Sequence, residues 1–231
     1  MSPTPRAPRP ATRWRLVVPL QQAERAKTRL VAPEGVDRVA LARALAADTL
    51  EAVCRALPPG DVVVVTSDEA GAARAAALGA QVVDDPGGGL NAAIRAGLEV
   101  AGDPGDGTAG GATGGTGARG LAVLLGDLPC LRPADLVAAL DVCAGHPRAV
   151  VPDADGSGTV LLTSVDADLE PRFGAGSAAR HARTAARLGL DLPRLRRDVD
   201  TSADLGDAIH LGLGPRTTAA LADAGPPPPS A

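Results

Sequence analysis

The chain of 231 residues carries a formal net charge of −4 and has no tyrosine, one tryptophan and one phenylalanine. That length supports one substantial core. The slight acidity gives no electrostatic footprint for a polyanion, and the missing aromatics remove the platforms on which single-stranded bases stack, so nucleic acid is not an expected partner.

In chain order, "MSPTPRAPRPATR" is rich in Pro and Arg and lacks the apolar core of a signal peptide, which predicts a disordered leader over 1–12 and a cytoplasmic protein. No apolar run approaches the roughly 20 residues that span a bilayer, so no membrane association is expected. Short Val/Leu-rich runs at 14–20, 61–67, 80–85, 121–127 and 148–153 read as strands buried on both faces. Between them, Ala/Leu/Arg-rich segments at 35–57, 68–78, 90–101 and 133–144 have helical character. This alternation predicts an α/β protein with a mostly parallel central sheet flanked by helices. The turn signal "DADG" before "GSGTVLLTS" (156–164) predicts a local antiparallel hairpin in the C-terminal third. Helices are expected at 177–189 and 202–211. The Gly/Thr-rich 102–120 reads as a flexible insertion within a single domain spanning 13–216, and the segment from Thr217 to "GPPPPSA" as a disordered tail. Cys54, Cys130 and Cys143 are widely spaced, without a CxxC or histidine pattern, and read as structural thiols in a reducing compartment.

Ligands of such sheets bind outside the carboxyl ends of the strands, which directs attention to the residues that follow them. In "VLLGDLP", Asp127 leaves the strand expected at 121–127 and suits a magnesium ligand, or alternatively a turn before the next helix. Asp198 and Asp200 of "RRDVDTSADL" alternate on one side of an extended segment, where a cation would relieve their repulsion; the plain alternative is a capping box at Thr201. Gly174, Gly176 and Ser177 of "FGAGSAARHA" suit an anion at a helix entry, with the Thr159 hydroxyl as a further donor, or alternatively a plain Ser N-cap with a flexible entry, while His181 reads as a packing or surface histidine. Gly87–Gly89 and Asn91 of "DDPGGGLNAAIRAG" suit a base or ribose, or an ordinary strand-to-helix turn. Lys27 is the only lysine of the chain and lies two residues from Arg29, just past the first strand. A compact ammonium and a planar guanidinium there can hold a triphosphate, although a KxR pair alone also fits a solvated face.

Taken together and in this order, "VVPLQQAERAKTRL", "LNAAIRAG", "LLGDLPCL", "VPDADGSGTVLLTS", "PRFGAGSAARHA" and "RDVDTSADL" resemble the phosphoenolpyruvate/2-phospho-L-lactate guanylyltransferases of deazaflavin (coenzyme F-420) biosynthesis, from Trp14 to Arg216. The resemblance implies a Rossmann-like nucleotidyltransferase fold and transfer of GMP from GTP to the phosphate of a small three-carbon acid. It implies Mg²⁺ (one or two ions) on Asp127, Asp198 and Asp200, and the acceptor on Thr159, Gly174 and Ser177. The nucleotide would meet Lys27, Arg29, Gly89 and Asn91, with Lys27, Arg29 and Asp127 serving catalysis. A monomer or homodimer that hands its product to the next enzyme of the pathway is expected. Members often carry a lysine directly after the first strand's proline, where this chain has Leu20-Gln21. The rival readings are a nucleotidyltransferase of the same fold with a sugar-phosphate or molybdopterin-type acceptor, and a non-catalytic nucleotide-binding protein.

Overall fold

Every residue of the strand Val62–Thr66 is buried, because its sequence, VVVVT, offers an apolar side chain to each face of a sheet covered on both sides. The computed structural model containing it describes residues 12–24, 27, 29–103 and 118–223. The expected leader and the centre of the 102–120 insertion lie outside the described residues. In chain order the elements are β1 (Arg13–Leu20), α1 (Arg38–Ala56), β2 (Val62–Thr66), α2 (Glu69–Ala77), β3 (Gln81–Asp84), α3 (Leu90–Gly102), β4 (Arg119–Leu124) and α4 (Pro133–Cys143). There follow β5 (Arg148–Pro152), β6 (Thr159–Val165), α5 (Ser177–His181), β7 (Ala186–Arg187), α6 (Pro193–Arg196), α7 (Ser202–Leu211) and α8 (Pro215–Ala222).

The seven strands among the described residues form one sheet in the order β3-β2-β1-β4-β6-β5-β7. Pairing is parallel from β3 to β4, whereas β6 runs antiparallel to both β4 and β5. The expected hairpin is present, and its second strand is inserted into the middle of the sheet. The strand period of two divides the apolar runs between faces. Leu16, Val18, Val62, Val64 and Leu124 join α1, α2 and α4, while Val17, Val63, Val65 and Val123 join α3 and Phe173.

Local chemistry explains the helix boundaries. The Asp37 side chain accepts from Val39 N and Ala40 N to start α1, and Asp68 accepts from Gly71 N to start α2. Thr201 and Asp204 form a reciprocal capping box at α7. Two expectations require correction. The helix placed at 177–189 ends at His181, because Ala186–Arg187 extend to pair with β5 and Leu188 N–H donates to Val150 O. The tail placed from Thr217 begins as α8, which packs on α1. Asp48 of α1 accepts the backbone N–H groups of Arg216 and Thr217, and Thr217 is fully buried. Cys130 and Cys143 are buried free thiols, which burial pushes up to about 11, and no helix among the described residues is long and apolar enough to cross a membrane.

Candidate active site

A cleft of about 810 Å³ opens at the edge of the sheet where β1 and β4 end. Because β6 is antiparallel, its first residue, Thr159, reaches the same edge: Leu124 pairs with Leu161, and Leu125 N–H donates to Val160 O. Beyond β4, Gly126 lies against β1, and a β-carbon there would stand 3.0 Å from Pro19 O and overlap Leu20. This close approach lets the chain turn at once and bring Asp127 into the cleft.

Asp127 is tied to the C-terminal third through its backbone, since Val199 N–H donates to Asp127 O at 3.2 Å. That bond sets Asp198 and Asp200 on either side of a buried Val199, both lining the cleft. Asp200 is held further by its own N–H, which donates to Asp204 Oδ2. Across from them, the segment after β1 is clamped by Asp68, which accepts from Ala23 N and from Arg43, and by Leu30 in an apolar cluster with Leu41 and Leu205. Lys27 takes a left-handed φ of 56° and places its ammonium between Asp127 and Asp200, 2.8 Å from Asp200 Oδ1. Arg29 reaches Asp200 Oδ2 at 3.1 Å. Burial pulls the Lys27 pKa down, but Asp127 and Asp200 outweigh it and push it up to about 12, so the group is a cation. Asp198 is also pushed up, to about 7, first through burial and then through Asp127, Asp153 and Asp200.

The other end of the cleft is a hydroxyl cluster. Ser177 Oγ donates to Thr159 Oγ1 at 3.1 Å, beside Gly174 and Gly176, whose φ values of 118° and 70° favour glycine. The helix entry is not an open anion site. α5 spans five residues, and the Ser177 and Ala178 N–H groups already donate to Gly174 O and Ser157 O. The Thr159 and Ser177 hydroxyls add side-chain donors for an anion at this end.

Thus Lys27, Arg29, Asp127, Asp198, Asp200, Thr159, Gly174 and Ser177 share one cleft. Gly89 and Asn91 do not line it, although Leu90 between them does. Asn91 instead holds the Phe173 backbone from both sides, Nδ2 donating to Phe173 O and Oδ1 accepting from Phe173 N. Sequence reasoning missed Arg197, a cleft residue held by Asp204 and Asp207, and Asp153, which accepts from Ser157 N and Gly158 N and shapes the turn before Thr159. The arginine pair before "DVD" was the available signal for Arg197.

Carboxylate oxygens are the donors a hard divalent cation takes, and Asp127 Oδ1 is buried without a hydrogen-bond partner. No ready-made group of three metal-ligating side chains occurs among the described residues, and the Lys27 ammonium supplies the positive charge between Asp127 and Asp200.

Residues 40–192 match the family model of the MobA-like NTP transferase domain. A phosphoenolpyruvate guanylyltransferase from Geodermatophilus obscurus is 45% identical over 222 residues, covering 93% of this chain and 96% of the relative. One from Salinispora arenicola is 46% identical over 219 residues, covering 92% and 95%. A solved nucleotidyl transferase from Methanothermobacter thermautotroptrophicus superposes with a TM-score of 0.53 at 17% identity, over 87% of this chain and 98% of the other, a likeness of fold. With its strand-end carboxylates, basic pair and hydroxyl cluster gathered at one sheet edge, the chain is a nucleotidyltransferase that belongs to the phosphoenolpyruvate guanylyltransferase family.

Proposed function

We propose that this enzyme transfers GMP from GTP to the phosphate of phosphoenolpyruvate, releasing pyrophosphate and supplying a guanosine diphospho-linked three-carbon acid to deazaflavin coenzyme biosynthesis in the cytoplasm. The observation that carries the reading is the two-ended cleft: Lys27, Arg29 and three carboxylates at one end, Thr159, Gly174 and Ser177 at the other. The names of the relatives at 45–46% identity support the choice of acceptor.

A phosphate oxygen of the acceptor attacks the α-phosphorus of GTP. The bond from that phosphorus to the α–β bridging oxygen breaks, its electron pair leaves with pyrophosphate, and a new phosphoanhydride joins the two substrates. A phosphate is ionised at neutral pH, so the step needs no general base. Lys27 and Arg29 neutralise the triphosphate, and the hydroxyl end orients the acid, so that catalysis is positioning plus charge neutralisation. Mg²⁺ held by Asp127, Asp198 and Asp200 would add charge neutralisation at the triphosphate.

The test is magnesium-dependent pyrophosphate release with GTP or ATP against phosphoenolpyruvate, 2-phospholactate, 3-phosphoglycerate and a hexose phosphate. Release is expected with GTP and phosphoenolpyruvate. Turnover of the hexose phosphate alone would overturn the acceptor, and a preference for ATP would overturn the donor.

A further inference from the structure

His181 lies at the end of α5, 3% exposed, and neither the basic pair nor the carboxylates touch it. Its two ring nitrogens have unequal partners. The backbone N–H of Arg172 donates to Nε2 at 2.9 Å, and Nδ1 stands 2.9 Å from Thr159 Oγ1. A nitrogen that accepts a hydrogen bond carries a lone pair and no proton, so the proton of the neutral ring resides on Nδ1. Nδ1–H is then the donor and Thr159 Oγ1 the acceptor.

We infer that His181 is a positioning residue: by donating to Thr159 it obliges the Thr159–Ser177 hydroxyl pair to offer an O–H, and not a lone pair, to an anion in the cleft. The hydrogen count carries the argument. Thr159 Oγ1 has two lone pairs, one filled by His181 Nδ1–H and the other by Ser177 Oγ–H. Its own hydrogen must point elsewhere, and the cleft is the open side. Were the Thr159–Ser177 bond reversed, the outgoing hydrogen would move to Ser177, and the pair would still present one donor. With the opposite tautomer, Thr159 would donate into the ring, and the pair could keep its internal bond only by turning lone pairs to the cleft. A carboxylate or phosphate accepts and cannot donate, so the tautomer decides whether this end attracts or repels it.

The surroundings hold that state. Burial, together with Arg180 and Arg172, pulls the imidazole pKa down to about 4, keeping the ring neutral. Phe173 packs edge-on against the ring, 4.9 Å between centroids, and Asn91 fixes the Phe173 backbone. The Asn91 amide thereby braces the ring that sets the hydroxyl pair.

The inference rests on the acceptor lying at the hydroxyl end, and two measurements separate it from that reading. The first needs no substrate: imidazole ¹⁵N NMR of the full chain at pH 7, with the His181 signals assigned by their loss in His181→Gln. A protonated Nδ1 is expected, and a protonated Nε2 overturns the proposal. The second is a variant pair. His181→Asn can keep a donor at the Nδ1 position, whereas His181→Gln can keep an acceptor at the Nε2 position and loses the donor to Thr159. In His181→Gln the KM for phosphoenolpyruvate is expected to rise about 10-fold or more while the KM for GTP stays put, and His181→Asn to recover most of the loss. Recovery by Gln and not by Asn would mean that His181 merely holds the Arg172 backbone, which overturns the proposal. Failure of the wild type to use phosphoenolpyruvate counts against the acceptor assignment, and the tautomer result stands independently of it.

Discussion

Lys27 donates to Asp200 Oδ1 at 2.8 Å across 173 residues of chain, and its ammonium also reaches Asp127. The side chain is 10% exposed, which removes it from the solvated surface. Arginine serves at every other basic position, yet a planar guanidinium is broader than an ammonium and cannot take the same place between two carboxylates. Lys27→Arg is expected to lower kcat/KM for GTP about 10-fold or more, with a smaller change in thermal stability. Unchanged kinetics would return Lys27 to a structural ion pair.

Asp127 presents one oxygen to Lys27 and leaves Oδ1 buried without a partner. Asp127→Asn keeps the shape and removes the charge. Turnover is expected to fall by at least about 100-fold, while the circular dichroism spectrum and melting temperature stay near those of the wild type. A variant with near-full activity would remove Asp127 from the metal and phosphate chemistry.

Glu51 joins three helices: on α1 itself, it accepts from Arg74 of α2 and from Arg216 of α8. Burial raises its pKa, but Arg216 and Arg74 outweigh that and hold it below the ordinary carboxylate value. A carboxylate depressed in the folded state contributes stability that is present above its unfolded pKa of about 4.3 and is lost as the pH falls through the folded value. Glu51→Gln is therefore expected to cost about 1 kcal/mol in urea unfolding at neutral pH, and the gap to wild type should narrow as the solution is acidified below pH 4. A gap independent of pH would show that packing, and not the ion pairs, is responsible.

The segment after Leu211 tests the correction made to the expected tail. Asp48 accepts from the Arg216 and Thr217 N–H groups and so caps the start of α8. A chain ended after Gly214 should lose that cap and the packing on α1, at a cost of about 2 kcal/mol. A chain ended after Asp223 should melt with the full-length protein. Equal melting of both truncations would make α8 dispensable.

Much of this was legible because local rules carry it. Val62–Thr66 could hardly be anything but a doubly covered strand, and "TSAD" announced the capping box that starts α7. The helix expected through 189 failed for a nonlocal reason: Ala186–Arg187 found the free edge of β5, and pairing with an existing strand outweighed the helical preference of an Ala/Arg run. Asn91 looked like a cap or a nucleotide contact, and its partner, Phe173, is 82 residues away.

By itself the sequence determined the alternation of strands and helices, the glycine before Asp127, the paired aspartates at 198 and 200, and the isolated lysine, since each is written in composition or short-range spacing. Only the tertiary structure decided that Thr159 reaches the edge where β4 ends, because that follows from β6 running antiparallel in mid-sheet. It alone placed the Lys27 ammonium between Asp127 and Asp200 and the His181 ring between the Arg172 N–H and Thr159 Oγ1. Those outcomes depend on which groups meet across the fold, and a hydrogen bond or ion pair is a property of two partners, not of either residue's neighbours in the chain.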